Sequence, residues 1–153
     1  MAYWLMKSEP DVFGIDDLKR VGIEPWDGVR NYQARNMLRD QMQVDDLAFF
    51  YHSNCKIPGI AGIMAIHRAG YPDPTAFDSK HPYYDPKSKP ENPRWYLVDV
   101  AFVARFSEVI PLSWLKDQPE LADLPLVRRG NRLSIMPLSD AHWHFINRHA
   151  QRV

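Results

Sequence analysis

Cys55, with His52 three residues before it, is the pair most able to do covalent chemistry. A thiol becomes a nucleophile only where a nearby base or cation favours its thiolate. The same pair has a plainer reading, a small residue packed beside an apolar strand. No Gly-x-Ser-x-Gly elbow occurs, and no oxyanion-hole motif accompanies Ser53. The six histidines, His52, His67, His81, His142, His144 and His149, include no His-Glu-x-x-His spacing. With a single cysteine to assist them they make a poor zinc set, so neither a metal nor another cofactor is expected. Gly59-x-x-Gly62 lacks the Gly-Lys-Ser/Thr continuation of a phosphate loop.

A second group suits binding better than catalysis. Trp26 stands in a loop between Pro25 and Gly28, Asn31 follows shortly after, and Ser53-Asn54 ends an apolar run. Arg132 and Ser134 flank Leu133, so within a strand they would share one face. A flat ring to stack on, with amide, hydroxyl and guanidinium groups for the edge, is what holds a planar heterocycle. Each residue also has a structural reading: Asn31 as a helix cap, Ser53-Asn54 as a turn, Trp26 as core. Basic islands lie nearby, at Arg30, Arg35 and Arg39, at Arg128, Arg129 and Arg132, and at Lys80, Lys87, Lys89 and Arg94. They could meet a few phosphates or simply be solvated surface.

The elements that must position these residues are short. Ala2–Lys7 alternates two faces and predicts a first strand, ended by Pro10. Residues 14–19 predict a short helix, and Ala34, Met37, Leu38 and Met42 give helical spacing from 31 to 42. Strands are predicted over 47–51, 60–66, 95–106 and 133–136, the last closed by Pro137. A short helix is expected at 111–116. Ser139 should cap a final helix carrying Trp143 and Ile146, with Leu138 stapled against Trp143. Residues 71–93 hold six prolines among scattered aromatics, a loop long enough to be either functional or disordered. No repeat or regular strand–helix alternation is present. The pattern predicts an α+β domain whose mainly antiparallel sheet curves into a small barrel with helices packed on it.

Composition limits the partners. The 153 residues fit one domain, and 45% hydrophobic content supports a real core. No apolar run approaches the roughly 18 residues of a membrane span, so no membrane partner is expected. The N-terminus lacks a signal-peptide pattern, and one cysteine allows no internal disulfide, so a cytoplasmic location is expected. Nineteen Lys and Arg balance nineteen Asp and Glu. This disfavours gripping a long phosphate backbone but not the reading of one base. Seven Phe, seven Tyr and five Trp supply rings for either a core or a ligand.

Several segments resemble the EVE domain family in collinear order. They are Trp4-Leu5-Met6-Lys7-Ser8-Glu9-Pro10, Trp26-Asp27-Gly28-Val29-Arg30-Asn31, Ala34-Arg35-Asn36 and Phe49-Phe50-Tyr51-His52-Ser53-Asn54. Pro58-Gly59-Ile60-Ala61-Gly62, Tyr71-Pro72-Asp73, Tyr83-Tyr84-Asp85-Pro86-Lys87-Ser88, Pro93-Arg94-Trp95, Val98-Asp99-Val100 and Arg132-Leu133-Ser134-Ile135 continue it. The resemblance implies a single PUA-like domain over residues 1–153, a small curved, mainly antiparallel β-barrel flanked by short helices. By analogy with other base-reading PUA-like modules it implies a non-catalytic module that binds a modified base of DNA or RNA. On this chain it implies Trp26 as stacking face, Asn31 as an edge contact, and Ser53 and Asn54 reaching in from a strand end. Lys7 and Ser8 would enter from the first strand, and Arg132 and Ser134 would complete a wall. Tyr83, Tyr84 and Trp95 form a second rank. A monomer is expected. Two other readings stay open: an enzyme acting on a nucleotide or small molecule through Cys55 and His52, and a protein-interaction domain presenting the 71–93 loop.

Overall fold

In the computed structural model, which describes residues 1–150, apolar alternation builds the first strand, β1 (Tyr3–Ser8). There follow α1 (Ile15–Val21), β2 (Ile23–Pro25), and α2 (Tyr32–Asn36), which runs into a π-helical turn at Met37–Gln41. Then come β3 (Leu47–His52), β4 (Gly59–Pro72), β5 (Tyr96–Pro111), α3 (Leu112–Lys116), β6 (Ile135–Leu138) and α4 (Asp140–His149). The sheet order is β2-β5-β4-β3-β1-β6. Among the described residues only the β1–β3 pair is parallel, and the chain between those strands supplies the long crossover that such pairing requires.

Alternate side chains put a core on each face of the sheet. Trp4, Met6, Phe50, Met64 and Val98 point to one, where Ile15 and Leu18 of α1, Trp26, Ala34 and Leu38 cover them. Leu5, Phe49, Ile63 and Phe106 point to the other, beneath Leu115 of α3 and Trp143 and Ile146 of α4. Trp143 stacks on both Tyr3 (4.5 Å) and Phe49 (3.9 Å). Ser139 caps α4, its Oγ accepting from the His142 N–H at 3.1 Å. The predicted mixed class, antiparallel bias and helix at 112–116 agree with these observations.

Several predicted features differ. The closed barrel is not seen: β2 and β6 do not pair among the described residues, and the sheet stays open. Both edges are very short and each contains a proline, Pro25 or Pro137, that removes a ladder donor. Register breaks interrupt the pairing of β3, β4 and β5, the kind of irregularity that bends a strand. At one such break a Cβ on Gly62 would collide with the Ala104 carbonyl, so glycine permits the close strand approach. The last strand begins two residues later than predicted, with Pro137 inside it. Arg132 and Ser134 therefore precede β6 and are not strand neighbours on one face. β2, read as loop, is a strand because its pairing with β5 is purely tertiary.

Candidate functional site

One concavity gathers residues from four separate parts of the chain. The end of β1 contributes Lys7 and Ser8, and the turn beyond it contributes Glu9, Val12 and Phe13. β2 and its following loop contribute Glu24 to Arg30, including Trp26, Asp27 and Val29. Tyr83 comes from the long β4–β5 connection and Ser134 from the residue before β6. The cavity measures about 270 Å³, just under the range of about 300–1,000 Å³ usual for small-molecule pockets. A single small heterocycle suits it better than a larger ligand.

Trp26 is the most buried of the three rings that line this pocket, the others being Phe13 and Tyr83. Its backbone N–H donates to the Val98 carbonyl at 2.8 Å, extending the β2–β5 pairing by one residue. The ring meets Phe50 edge-on, 5.4 Å between centres, and is only 8% exposed. No buried side-chain nitrogen or oxygen among the described residues lacks a partner. The Trp26 indole N–H makes no hydrogen bond among the described residues.

The loop after Trp26 is held by Asp73, whose side chain is fully buried. One carboxylate oxygen accepts from the Gly28 N–H (2.9 Å) and the Arg30 guanidinium (3.1 Å). The other accepts from the Thr75 N–H (2.9 Å) and hydroxyl (2.6 Å). Burial alone would raise the Asp73 pKa, but the bonds from Thr75, Gly28 and Arg30 outweigh it and hold the group below the ordinary carboxylate value. Arg30 also donates to the Tyr83 carbonyl at 2.7 Å, tying the long loop to the pocket rim. Gly28 has φ of 79°, and a Cβ there would overlap the Tyr83 ring. The loop's conformation and the placement of Tyr83 thus depend on each other.

Charge inside the pocket is unevenly shared. Asp73 offsets Arg30, leaving Lys7 as the cation and Glu9, Glu24 and Asp27 as the anions. Lys7, Glu24 and Asp27 form no ion pair among the described residues. Burial lowers the Lys7 pKa, and the ammonium lies 5.7 Å from the Tyr51 ring centre. Burial raises Glu24, helped by Asp27 and Asp17, and raises Asp27, helped by Asp73. Ser8 spends its hydroxyl proton on the Phe13 carbonyl at 2.6 Å. The pocket thus offers three rings, one ammonium without an ion-pair partner among the described residues, and two carboxyls with unused acceptor capacity.

Five of the residues named from sequence meet here: Lys7, Ser8, Trp26, Tyr83 and Ser134. The others lie elsewhere. Asn31 caps α2, its Oδ1 accepting from the Ala34 N–H at 3.0 Å. Ser53 donates its N–H to the Ser8 carbonyl (3.0 Å), and the Asn54 side chain donates to Glu9, so both brace the end of β1. Arg132 is exposed and outside the lining, as is Tyr84. Trp95 is buried beside the pocket, its indole N–H donating to Asp85 at 2.6 Å. His52 Nε2 accepts from the Ile15 N–H (3.1 Å), and burial lowers its pKa. That nitrogen is therefore occupied in holding α1 rather than in activating Cys55.

Sequence reasoning noted Arg30 only within a basic island and passed over Glu24, Asp27 and Asp73 as site residues. The signal for the first three was their adjacency to Trp26. Asp73 stood in the Tyr71-Pro72-Asp73 segment of the resemblance, but nothing local pointed to its partners Gly28 and Arg30, 45 and 43 positions away.

The EVE domain family model matches residues 2–149. Human thymocyte nuclear protein 1 is 46% identical over 95% of this chain and 72% of its own length. A structure of that human protein in complex with DNA containing 5-methylcytosine is 47% identical, with a TM-score of 0.89 over 95% of each chain. A Pseudomonas syringae protein of known structure is 53% identical, with a TM-score of 0.94 over 97% of this chain and 99% of its own. With its sequence matched almost from end to end and its fold shared at this level of identity, the chain belongs to the EVE domain family.

Proposed function

We propose that this protein is a non-catalytic DNA-binding domain that takes a modified base, a cytosine substituted at C5, into the Trp26 pocket. The observation that carries the reading is the pocket itself: a fixed tryptophan beside unpaired Lys7, Glu24 and Asp27, in a chain 47% identical to a protein crystallised with 5-methylcytosine DNA. The base must leave the stack to reach such a concavity. Stacking on Trp26 supplies about 1–3 kcal/mol. Glu24 and Asp27 suit the exocyclic amine of cytosine, because a carboxylate accepts from that group. Lys7 supplies a donor for a ring carbonyl. A neutral chain is adequate for this task, since one recognised base needs few phosphate contacts.

Thymine is the informative competitor. It carries the same C5 methyl group as 5-methylcytosine but presents an acceptor where cytosine has its amine. Anisotropy titrations should use one DNA sequence with 5-methylcytosine, cytosine or thymine at a single position, against wild type and Trp26→Ala. The reading predicts tightest binding to 5-methylcytosine and loss of that preference in the variant. Equal binding of all three by wild type would remove it.

A further inference from the structure

The pocket interior is acidic, but its Tyr83–Arg30 rim continues outward as a run of rings and guanidiniums. The Arg30 guanidinium lies 5.6 Å from the Tyr83 ring centre and 5.4 Å from that of Trp95. Trp95 stacks on Tyr32 at 4.8 Å with the planes 26° apart. The Arg35 guanidinium is in turn 4.9 Å from the Tyr32 ring centre.

This run is fixed from below. Trp95 is buried and bonded to Asp85. Arg35 donates to the Asn36 side chain and to the Arg94 carbonyl, each at 2.9 Å. Tyr32 sits on top, the first residue of α2, and is 52% exposed. Its hydroxyl makes no hydrogen bond among the described residues. Asp73 offsets the charge of Arg30, whereas Arg35 and Arg94 form no ion pair among the described residues.

We propose that Tyr32 and Arg35 form a second contact surface, for the nucleotide adjoining the one held in the pocket. Its base stacks on Tyr32 and its phosphate meets Arg35. This rests on the base-binding reading of the pocket and extends it along the strand. A nucleotide brings a π-face and an anion together, which matches a ring beside an unpaired guanidinium. Such stacking tolerates any base, so the surface adds affinity without adding sequence preference. It also separates two duties, with an acidic pocket for the base and a basic rim for the backbone.

The test compares a single-stranded oligonucleotide carrying one 5-methylcytosine with the free 5-methyldeoxycytidine nucleoside. Tyr32→Ala should weaken the oligonucleotide by about 5- to 150-fold, the equivalent of one lost stack, and leave nucleoside binding unchanged. Tyr32→Phe should bind both like wild type. Arg35→Gln should lower the salt dependence of oligonucleotide binding by about one phosphate contact. Wild-type affinity of Tyr32→Ala for the oligonucleotide would overturn the proposal, as would an equal loss for the nucleoside. If wild type itself shows no preference for the modified base, the pocket reading fails instead, so the two failures are distinguishable.

Discussion

Replacing Asp73 by Asn changes one oxygen to an amide and tests how the pocket loop is held. Both carboxylate oxygens are engaged, one with Gly28 and Arg30, the other with Thr75. An amide turned toward Arg30 would set donor against donor. The better arrangement turns it toward Thr75, whose hydroxyl can rotate to accept, but the Thr75 N–H then loses its partner. In either case the buried charge opposite Arg30 is gone. Removing one partner of a buried pair costs about 3–5 kcal/mol, and an unsatisfied buried donor about 1–3 kcal/mol. Arg30 retains bonds to the Tyr83 and Val29 carbonyls and is 23% exposed, which places the loss nearer about 2–4 kcal/mol. For a domain of this size that lowers the melting midpoint by about 4–16 °C.

The Asp73 pKa is depressed in the folded state, so its contribution is present above the unfolded value and disappears as pH falls through the folded one. Thermal or urea melts from neutral to acid pH should therefore show wild type and Asp73→Asn converging as the medium becomes acid. Among folded molecules the variant should also bind the modified base more weakly, because Gly28 and Arg30 have lost their anchor. A variant that melts within a degree of wild type, or a gap that does not narrow in acid, would refute the reasoning.

Three further outcomes follow from the same contacts. Gly28→Ala should lower both stability and base affinity, because its φ of 79° and the Tyr83 ring both oppose a side chain. Adding Tyr83→Ala should recover part of the stability in a double-mutant cycle. Preference for 5-methylcytosine over thymine should shrink as pH falls, starting above the ordinary carboxylate range of about 4, because the pKa values of Glu24 and Asp27 are raised and protonation turns one oxygen of each into a donor that suits the thymine carbonyl. Binding titrations at stepped pH measure this directly. Asp46→Ala removes a buried carboxylate that accepts from the Ala2 N–H, the Trp4 indole and the Gln43 N–H. It should cost about 2–4 kcal/mol in urea unfolding while leaving the base preference of the folded protein intact.

How far all this was legible in the sequence depended on the range of the forces involved. β1, β3 and the capped α4 could be read because alternation and the Ser139 cap act over a few residues. Trp26 stood out because a tryptophan in a proline–glycine loop has few local reasons to be there. β2 was illegible: three residues ending in proline become a strand only when β5 is alongside. Asn31 and Ser53-Asn54 were ambiguous between structural bonding and ligand contact; Asn31 caps α2 locally, whereas Ser53 and Asn54 bond to Ser8 and Glu9, 45 positions away, which no local pattern shows. Glu24 and Asp27 escaped notice because charged residues beside turns are ordinarily solvated, and their place on the pocket lining depends on the β2–β5 pairing.

The central claim is that a modified cytosine leaves the helix and lodges against Trp26, and a crystal structure with DNA containing one 5-methylcytosine tests it most directly. The account predicts the base outside the stack, its ring against the indole and its amine within hydrogen-bonding distance of Glu24 or Asp27. A methylated base still stacked in the duplex, or one bound away from this pocket, would contradict it.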